Sequence, residues 1–423
     1  MLQRIAHTAG TTSANVLPKL LSRGASVAAV TKWVETDAET LYAPAAETND
    51  SDFEAVIDAD SALPATTSSK PPGPGAGPHL SGPPHRVVVI SAGGSQGSAL
   101  AAQALHNAAR EQFEVALHTR EPAGAARHFL VRCGDRSLDL AEHSRARRSS
   151  GVIQSDPADT LVVDATVVAG LHDTIAWTPP GSSVLYIQNG MPSHVDEKAA
   201  RGLEPHQAVS MVTTTAHPGE GVAVAPGGVM MVDENDRLVD TLHRVFRDQG
   251  FFRLVNVPDI RATRFEKVAL NCAINVTATL FGQPLGELRA KMRRDHRCER
   301  LIAGIASEVC AVAGAQGVRT RPADRVMADI ESLMERFPAH PTSMRAAFDA
   351  GAPTEIGVLN AAVCRLGAEL GVATPLNRIV CARLAEFESW RDAGASPAGF
   401  HMRHAEAVAR ATEELLALAA AVG

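Results

Sequence analysis

Aromatic residues are scarce: of 423 residues only 2 are Tyr, 3 are Trp and 12 are Phe. So few rings offer no platform for stacking bases, and a net charge of −7 offers no basic stripe for a phosphate backbone, so a general nucleic-acid binder is excluded. Tyr186 is followed four residues on by Gly190, and Tyr42 is the only other tyrosine, so the Tyr-x-x-x-Lys pair of a short-chain dehydrogenase is missing. The phosphate-binding pattern G-x-x-x-x-G-K-[ST] is absent as well, which weighs against a P-loop NTPase. The six cysteines, at 133, 272, 298, 310, 364 and 381, form no C-x-x-C pair, so neither a disulfide framework nor a zinc or other metal site is expected, and a reducing compartment is. Long apolar runs are lacking too. The best charge-free stretch, Val268–Gly286, holds two Asn, a Gln and a Pro, so no membrane partner is expected and the chain reads as cytoplasmic.

What is present is an ordinary globular composition, 45% apolar and 21% charged, at a length that suits two or three domains. Residues 1–85 stand apart as a disordered extension and Pro/Gly linker. Residues 1–32 are Ser/Thr-rich, carry Arg4, Lys19, Arg23 and Lys32 and precede the first acid, Glu35; they read equally as a mitochondrial transit segment or as a plain disordered N-terminus. An acidic block free of Lys and Arg runs to Ser69, and Pro and Gly dominate from Lys70 to His79. From Arg86 to Pro258, continuous apolar runs (86–90, 113–118, 160–164, 183–188, 209–213 and 228–232) alternate with helical segments. That pattern implies an α/β fold, a doubly wound Rossmann-type domain with a parallel sheet covered on both faces. Residues 259–395 carry only helical periodicity: 264–280, 298–313, 322–336, 354–370 and 375–390. Gly371 is placed to end one of these helices, and Thr374-Pro375 to start the next as N-cap and first helical residue. An all-helical C-terminal domain follows. The tail, 396–423, reads first as core packing through Leu415, Leu416 and Leu418 and second as a self-association surface, which leaves room for a homodimer.

The turn after the first strand is Ala92-Gly93-Gly94-Ser95-Gln96-Gly97, followed by an Ala-rich helix from about Ser98. Small residues there let the backbone approach a pyrophosphate, which then sits on the free N–H groups at the helix start. Ala92 takes the place of the first glycine of G-x-G-x-x-G. The second strand ends at His118-Thr119-Arg120, and a guanidinium there suits the 2′-phosphate of NADP; Glu121 beside it is the acid that would instead suit NAD.

The stretch Lys267–Leu280 is the most informative. At about 100° per residue Lys267, Asn271 and Asn275 fall within roughly 80° of one another on an otherwise apolar helix. Buried polar groups in so narrow a seam need partners, either a ligand or an interhelical network. A desolvated lysine can serve as the proton donor to a carbonyl receiving hydride, and neutral amides hold oxygens without competing for that proton.

Taken with Gly286-Glu-Leu288, Thr342-Ser-Met344, Pro353-Thr-Glu-Ile356 and Thr374-Pro-Leu-Asn377, and with Gln188-Asn-Gly-Met191 and Thr213-Thr-Thr215 in the first half, the Lys267/Asn271/Asn275 pattern resembles the ketopantoate reductase (2-dehydropantoate 2-reductase) family over about residues 86–390. The resemblance implies a Rossmann domain and a helical domain with the site between them. It also implies NADPH-dependent reduction of 2-dehydropantoate to pantoate, on the route to pantothenate and coenzyme A. By position it makes Lys267 the general acid and Glu355 the group that holds the lysine or substrate. Asn271, Asn275 and Ser343 would bind substrate, and Asn189 would lie near the nicotinamide and the reacting carbonyl. Residues 92–97 and Arg120 would hold the cofactor. Taken alone, Glu355 also suits the first turn of a helix and Ser343 a helix cap. The chain departs from the family at Ala92, at Thr166 where many members have Lys, at Leu285 where some have Asn, and at Ala347 and Gly357 where Asp is frequent. These departures keep two alternatives open: a reductase of another branched 2-oxo acid, and a non-catalytic NADP-binding regulatory protein.

Overall fold

The computed structural model describes residues 80, 83–91, 95–119, 130–140, 142–143, 145–154, 156–166, 175–191, 202–217, 220–247, 250–339, 341–393 and 400–422. The expectations for residues 1–32 and for the linker up to His79 fall outside that set, as do those for Ala92, Gly93, Gly94 and Arg120. The chain divides into two compact units that meet in sequence at Thr263 and Arg264.

The first unit is built on twelve strands: β1 (Arg86–Ile90), β2 (Glu114–His118), β3 (Leu130–Cys133), β4 (Arg136–Asp139), β5 (Ala146–Ser149), β6 (Thr160–Asp164), β7 (Ser183–Tyr186), β8 (Glu204–Met211), β9 (Thr214–His217), β10 (Gly221–Val224), β11 (Val229–Asp233) and β12 (Arg253–Val257). Eight of them form one sheet in the order β12-β11-β8-β7-β6-β1-β2-β5. From β5 to β8 every pairing is parallel, so the order reverses at β1 and β6, the switch point of a doubly wound fold. β1 shows why the sequence adopts this arrangement. Val87 and Val89 enter the apolar cluster on the face of helix α1 (Ser95–Glu111), while Val88 and Ile90 enter a second cluster with Val162, Val184 and Tyr186. A β-branched run buried on both faces fits a central parallel strand and little else.

Two features depart from the purely parallel sheet expected. β11 pairs antiparallel with β8, and β12 runs parallel to β11, so the far edge is a reversed pair. In addition, β4-β3-β10-β9 make a separate four-stranded sheet that packs on α1. Its first hairpin turns at Gly134, whose φ of 57° favours glycine. β4 exposes three of its four residues, and so lacks the apolar run by which a strand is recognised. His217, which reads as a loop residue in the sequence, is the last residue of β9. Leu80, assigned by composition to the linker, is a buried member of the larger apolar cluster, and its carbonyl accepts a hydrogen bond from Arg237 Nη1 at 2.8 Å. Helix α2 (Val239–Val245) completes the cover on that side.

The second unit shows only helices among its described residues. They are α3 (Ile260–Phe281, entered from the first unit), α4 (Leu285–Arg294), α5 (His296–Ala315), α6 (Ala323–Arg336), α7 (Ser343–Asp349), α8 (Asn360–Leu370), α9 (Pro375–Asp392), α10 (Phe400–Arg403) and α11 (Ala405–Val422). Gly371 ends α8 at φ 70°, as its position predicts. Pro375 opens α9 as expected, but the Thr374 hydroxyl makes no capping bond. The carboxylate of Glu308 on α5 does that work instead, accepting from the backbone N–H groups of Leu376 (2.8 Å) and Asn377 (2.9 Å). A cap supplied from another helix leaves no local trace in sequence. In the tail, Leu415, Leu416 and Leu418 are buried where α11 packs on α5 and α9, which is the core role favoured for them. Among the described residues no helix is long and apolar enough to cross a membrane.

Candidate active site

Helix α3 carries the predicted polar seam, and its ends are fixed by local chemistry. Asp259 Oδ1 accepts from the N–H groups of Arg261 (2.9 Å) and Ala262 (3.0 Å), which answers two of the donors a helix start leaves free. At the other end Gly282 takes a left-handed φ of 66° and stops the helix. Between these points every residue from Ala262 to Phe281 is buried. A helix enclosed on all sides has no solvent face on which to place polar groups. Lys267, Asn271 and Asn275 are respectively 6%, 2% and 1% exposed. Among the described residues, neither Asn271 Oδ1 nor Asn275 Oδ1 accepts a hydrogen bond. Two orphaned acceptors on one stripe mark a place where a ligand bearing hydroxyl or N–H donors would be held.

The residues from later in the chain reach α3 through α7. Thr342 caps α7, its hydroxyl accepting from Arg345 N at 3.2 Å, and that hydroxyl also lies 3.5 Å from the carbonyl oxygen of Asn275. Ser343, the next residue, donates to Glu355 Oε2 at 3.3 Å. The seam, Ser343 and Glu355 are thus joined by a short series of contacts. The cap role considered for Ser343 belongs to Thr342. Nor does Glu355 open the long helix the periodicity predicts. It lies in a separate turn of 3₁₀ helix, Glu355–Gly357, and α8 starts only at Asn360. Thr342 went unrecognised as a positioning residue, because a cap between two helices looks like any other Ser/Thr before a helix.

Arg264 stands about one turn before Lys267 on α3. It shares the stripe, since steps of three, seven and eleven residues carry it to Lys267, Asn271 and Asn275 within about the same 80°. Its side chain is buried, and burial pushes its guanidinium down to about 10. On the opposite side of α3, buried Glu266 accepts from Arg321 through the backbone N (2.7 Å) and Nε (2.8 Å).

In the first unit, α1 begins at Ser95 rather than near Ser98, so Ser95, Gln96 and Gly97 form its first turn and point free N–H groups toward its N-terminal end, directly after β1 at the switch point. The Gln96 side chain is committed elsewhere, donating to Val212 O (2.6 Å) and Thr214 Oγ1 (3.3 Å) and accepting from Ser210 (3.2 Å), so a cofactor would meet its backbone only. At the end of β2 the ring of His118 is fully buried. Its Nδ1 is bonded to Ser149 Oγ (2.9 Å), and among the described residues its Nε2 has no partner. Free N–H groups at a helix start directly after the first strand are the kind of place that suits a diphosphate. Asn189 is half-buried in the segment after β7. Its neighbour Gln188 ties that segment to β6 by donating to Asp164 O (3.2 Å). Thr166, at the place of the family's lysine, donates to Asp164 Oδ1 at 2.7 Å and so closes a local turn. Among the described residues no group of His, Cys, Asp and Glu is arranged to hold a metal.

Residues 259–388, which contain the seam, Ser343 and Glu355, match the family described as ketopantoate reductase PanE/ApbA C terminal. The helical unit is similar to the C-terminal domain of ketopantoate reductases. A curated 2-dehydropantoate 2-reductase of Pyrobaculum aerophilum is 28% identical over 236 residues, covering 55% of this chain and 80% of the relative. Among solved structures, a PanE/ApbA family ketopantoate reductase from Ralstonia eutropha JMP134 shares the fold with a TM-score of 0.59 at 22% identity, over 72% of this chain and 99% of that one. D-mandelate dehydrogenase, solved as a ternary complex with NADH and anilino(oxo)acetate, shares it with a TM-score of 0.58 at 19% identity, over 73% and 99%. Ketopantoate reductase architecture thus covers both units, and the family profile falls on the helical one.

Proposed function

We propose that this protein is an enzyme that reduces 2-dehydropantoate to pantoate, with NADPH as the hydride donor. The observation that carries the proposal is the seam on α3: a buried lysine in line with two buried amides whose oxygens are unanswered among the described residues. Lys267 is assigned as the general acid, its ammonium passing a proton to the ketone oxygen as that oxygen gains negative charge. Asn271 and Asn275 are assigned to substrate hydroxyl and carbonyl groups. The Ser343–Glu355 pair is assigned to substrate binding and to holding the lysine, and Asn189 to the nicotinamide side. Residues 92–97 are assigned to the pyrophosphate through backbone N–H groups.

The proposed division of labour keeps cofactor binding in 86–258, substrate chemistry in 259–395 and a packed tail in 396–423. A cytoplasmic location and a homodimer belong to the same proposal, the dimer to be checked by light scattering on the purified chain. The test of the activity is oxidation of NADPH by purified protein in the presence of 2-dehydropantoate. Turnover is the expected outcome, and absence of turnover with tight NADPH binding would instead support a non-catalytic role. A second reading, reduction of another branched 2-oxo acid, is favoured by Ala347, which offers no polar group, and by Leu285, whose side chain is fully buried. A panel of 2-oxo acids separates the two by rank of kcat/KM.

Arg120 is assigned to the 2′-phosphate. Arg120→Ala is expected to weaken NADPH about 10- to 100-fold, the worth of a charge-assisted bidentate contact, and to leave NADH nearly unchanged. Equal losses for the two cofactors, measured by fluorescence titration, would remove the assignment.

A further inference from the structure

We propose that Asn360 is a positioning residue for the reaction: by donating to the backbone of α3 beside Asn271, it fixes where the turn carrying Glu355 lies relative to the seam. The inference rests on the reductase function proposed above and assigns a role to a residue that none of the motifs includes.

Connectivity is the first support. Asn360, the first residue of α8, is fully buried, and its Nδ2 donates to Cys272 O at 3.0 Å. Cys272 directly follows Asn271 on α3. In the other direction, Leu359 N donates to Glu355 O at 3.1 Å, so the 3₁₀ turn closes on the residue before Asn360. Ser343 donates to Glu355 Oε2, and the neighbouring Thr342 hydroxyl lies 3.5 Å from Asn275 O. These contacts form a ring that runs from Cys272 through Asn360 and Glu355 to Ser343, Thr342 and Asn275, and back along α3. At a rise of about 1.5 Å per residue, its two attachments to α3 lie about 4.5 Å apart along the axis. The Thr342 contact is at the outer limit of a hydrogen bond, so the 3.0 Å bond from Asn360 is the firmer of the two.

The orientation of the amide is the second support. Asn377 Nδ2 donates to Glu308 Oε2 at 2.7 Å and to Ile305 O at 3.2 Å. A carboxylate oxygen accepts, so the amino end of Asn377 faces Glu308 and its Oδ1 is turned toward Asn360, whose Nδ2 donates to it at 3.0 Å. Both N–H groups of Asn360 are thereby used, one on Asn377 and one on α3. Its Oδ1 is buried and has no hydrogen-bond partner among the described residues. An unanswered buried oxygen lowers stability, and an apolar side chain of the same size would avoid that loss. What the amide adds is a directed bond on α3, next to a residue assigned to substrate. Displacements are costly there, because a shift of about 1 Å in a reacting group can lower a rate about 100-fold.

The test compares the wild-type holoenzyme with Asn360→Leu, Asn360→Asp and a control, Arg383→Met, which removes a buried guanidinium paired with Glu386 (2.6 Å) and Glu414 (3.2 Å). Asn360→Leu and Arg383→Met should both lower the melting temperature. Only Asn360→Leu is expected to lower kcat, by about 10- to 100-fold, with KM for 2-dehydropantoate within about threefold and NADPH binding retained. In Arg383→Met kcat should stay within about twofold of wild type. Asn360→Asp keeps the shape, but its carboxyl donates to Cys272 O only when protonated, and burial favours that form. The ratio of its kcat to that of wild type is therefore expected to rise about tenfold as the pH is lowered from about 8 to about 6. That variant carries the test if leucine is not tolerated. Suppose wild-type protein reduces a 2-oxo acid, but Asn360→Leu keeps kcat within about threefold, or Arg383→Met loses as much, or the Asn360→Asp ratio is flat with pH. The Asn360 assignment is then overturned and the reductase function stands. If wild-type protein reduces no 2-oxo acid, both are overturned.

Discussion

Lys267→Ala is expected to lower kcat by about 10²–10⁴-fold, the range set by removing a positioned general acid, while NADPH binding stays within a few-fold of wild type. The lysine is 6% exposed on a helix enclosed from Ala262 to Phe281, so bulk water is poorly placed to act as a substitute donor. Two controls separate proton transfer from simple loss of charge. Lys267→Arg retains a cation, but its pKa is too high for useful donation, so kcat should remain low. Added small primary amines should restore part of the rate to Lys267→Ala and none to Lys267→Arg, whose side chain fills the space. Steady-state kinetics give the decisive split, since a general acid acts in the transition state and its loss appears in kcat more than in KM. Activity of Lys267→Ala within tenfold of wild type would remove the assigned role.

The largest effect on stability is expected at Gly282. Its φ of 66° already disfavours any side chain, and a Cβ there would lie 2.4 Å from His401 Cδ2 and 2.7 Å from Cγ. His401 has little freedom to move aside. Its Nε2–H donates to Thr279 O at 2.6 Å, and its ring packs against Phe348 and Phe400 with centroids 5.6 and 5.3 Å away. Burial pushes the imidazole down to about 4, so the ring is neutral near pH 7, and one nitrogen can hold its proton for that bond. Gly282→Ala combines a left-handed non-glycine residue with overpacking, for a cost of about 2–5 kcal/mol. Removing the obstruction in Gly282→Ala/His401→Ala should return the steric part, so the double mutant is expected to lose less than the sum of the two single mutants. Thermal and denaturant unfolding check both statements, and a cost below about 0.5 kcal/mol for Gly282→Ala would show that the helix end is not locked as described.

The sequence shows the central strands and the seam clearly because burial on both faces writes itself as unbroken apolar runs, as in Val87–Ile90, and a buried helix as a long apolar stretch with few interruptions. It shows poorly whatever is stabilised from a distance. β4 is exposed and polar, β5 is an edge strand with Arg147 and Arg148 facing solvent, and the pairing that defines each comes from β3 and β2. The start of α9 depends on a carboxylate 68 residues away, and Glu355 is displaced from its helix by a break at Val358 and Leu359 that periodicity runs straight through. Arg264 illustrates a different failure. Periodicity makes it the first residue of the predicted helix 264–280. Only the capping bonds of Asp259 show that α3 begins a turn earlier, with Arg264 inside it.

The anchored position of Leu80 bears on how the protein should be trimmed for experiments. Its side chain fills part of an apolar cluster, and its carbonyl receives Arg237, a side chain also clamped to Glu204 and Ser183. A truncated version starting at Arg86, where composition suggests a clean cut, would open a hole in that cluster and take away one of the acceptors of the guanidinium. The shortest fragment worth expressing therefore starts ahead of Leu80, within the Pro/Gly stretch, where the cut spares this tether.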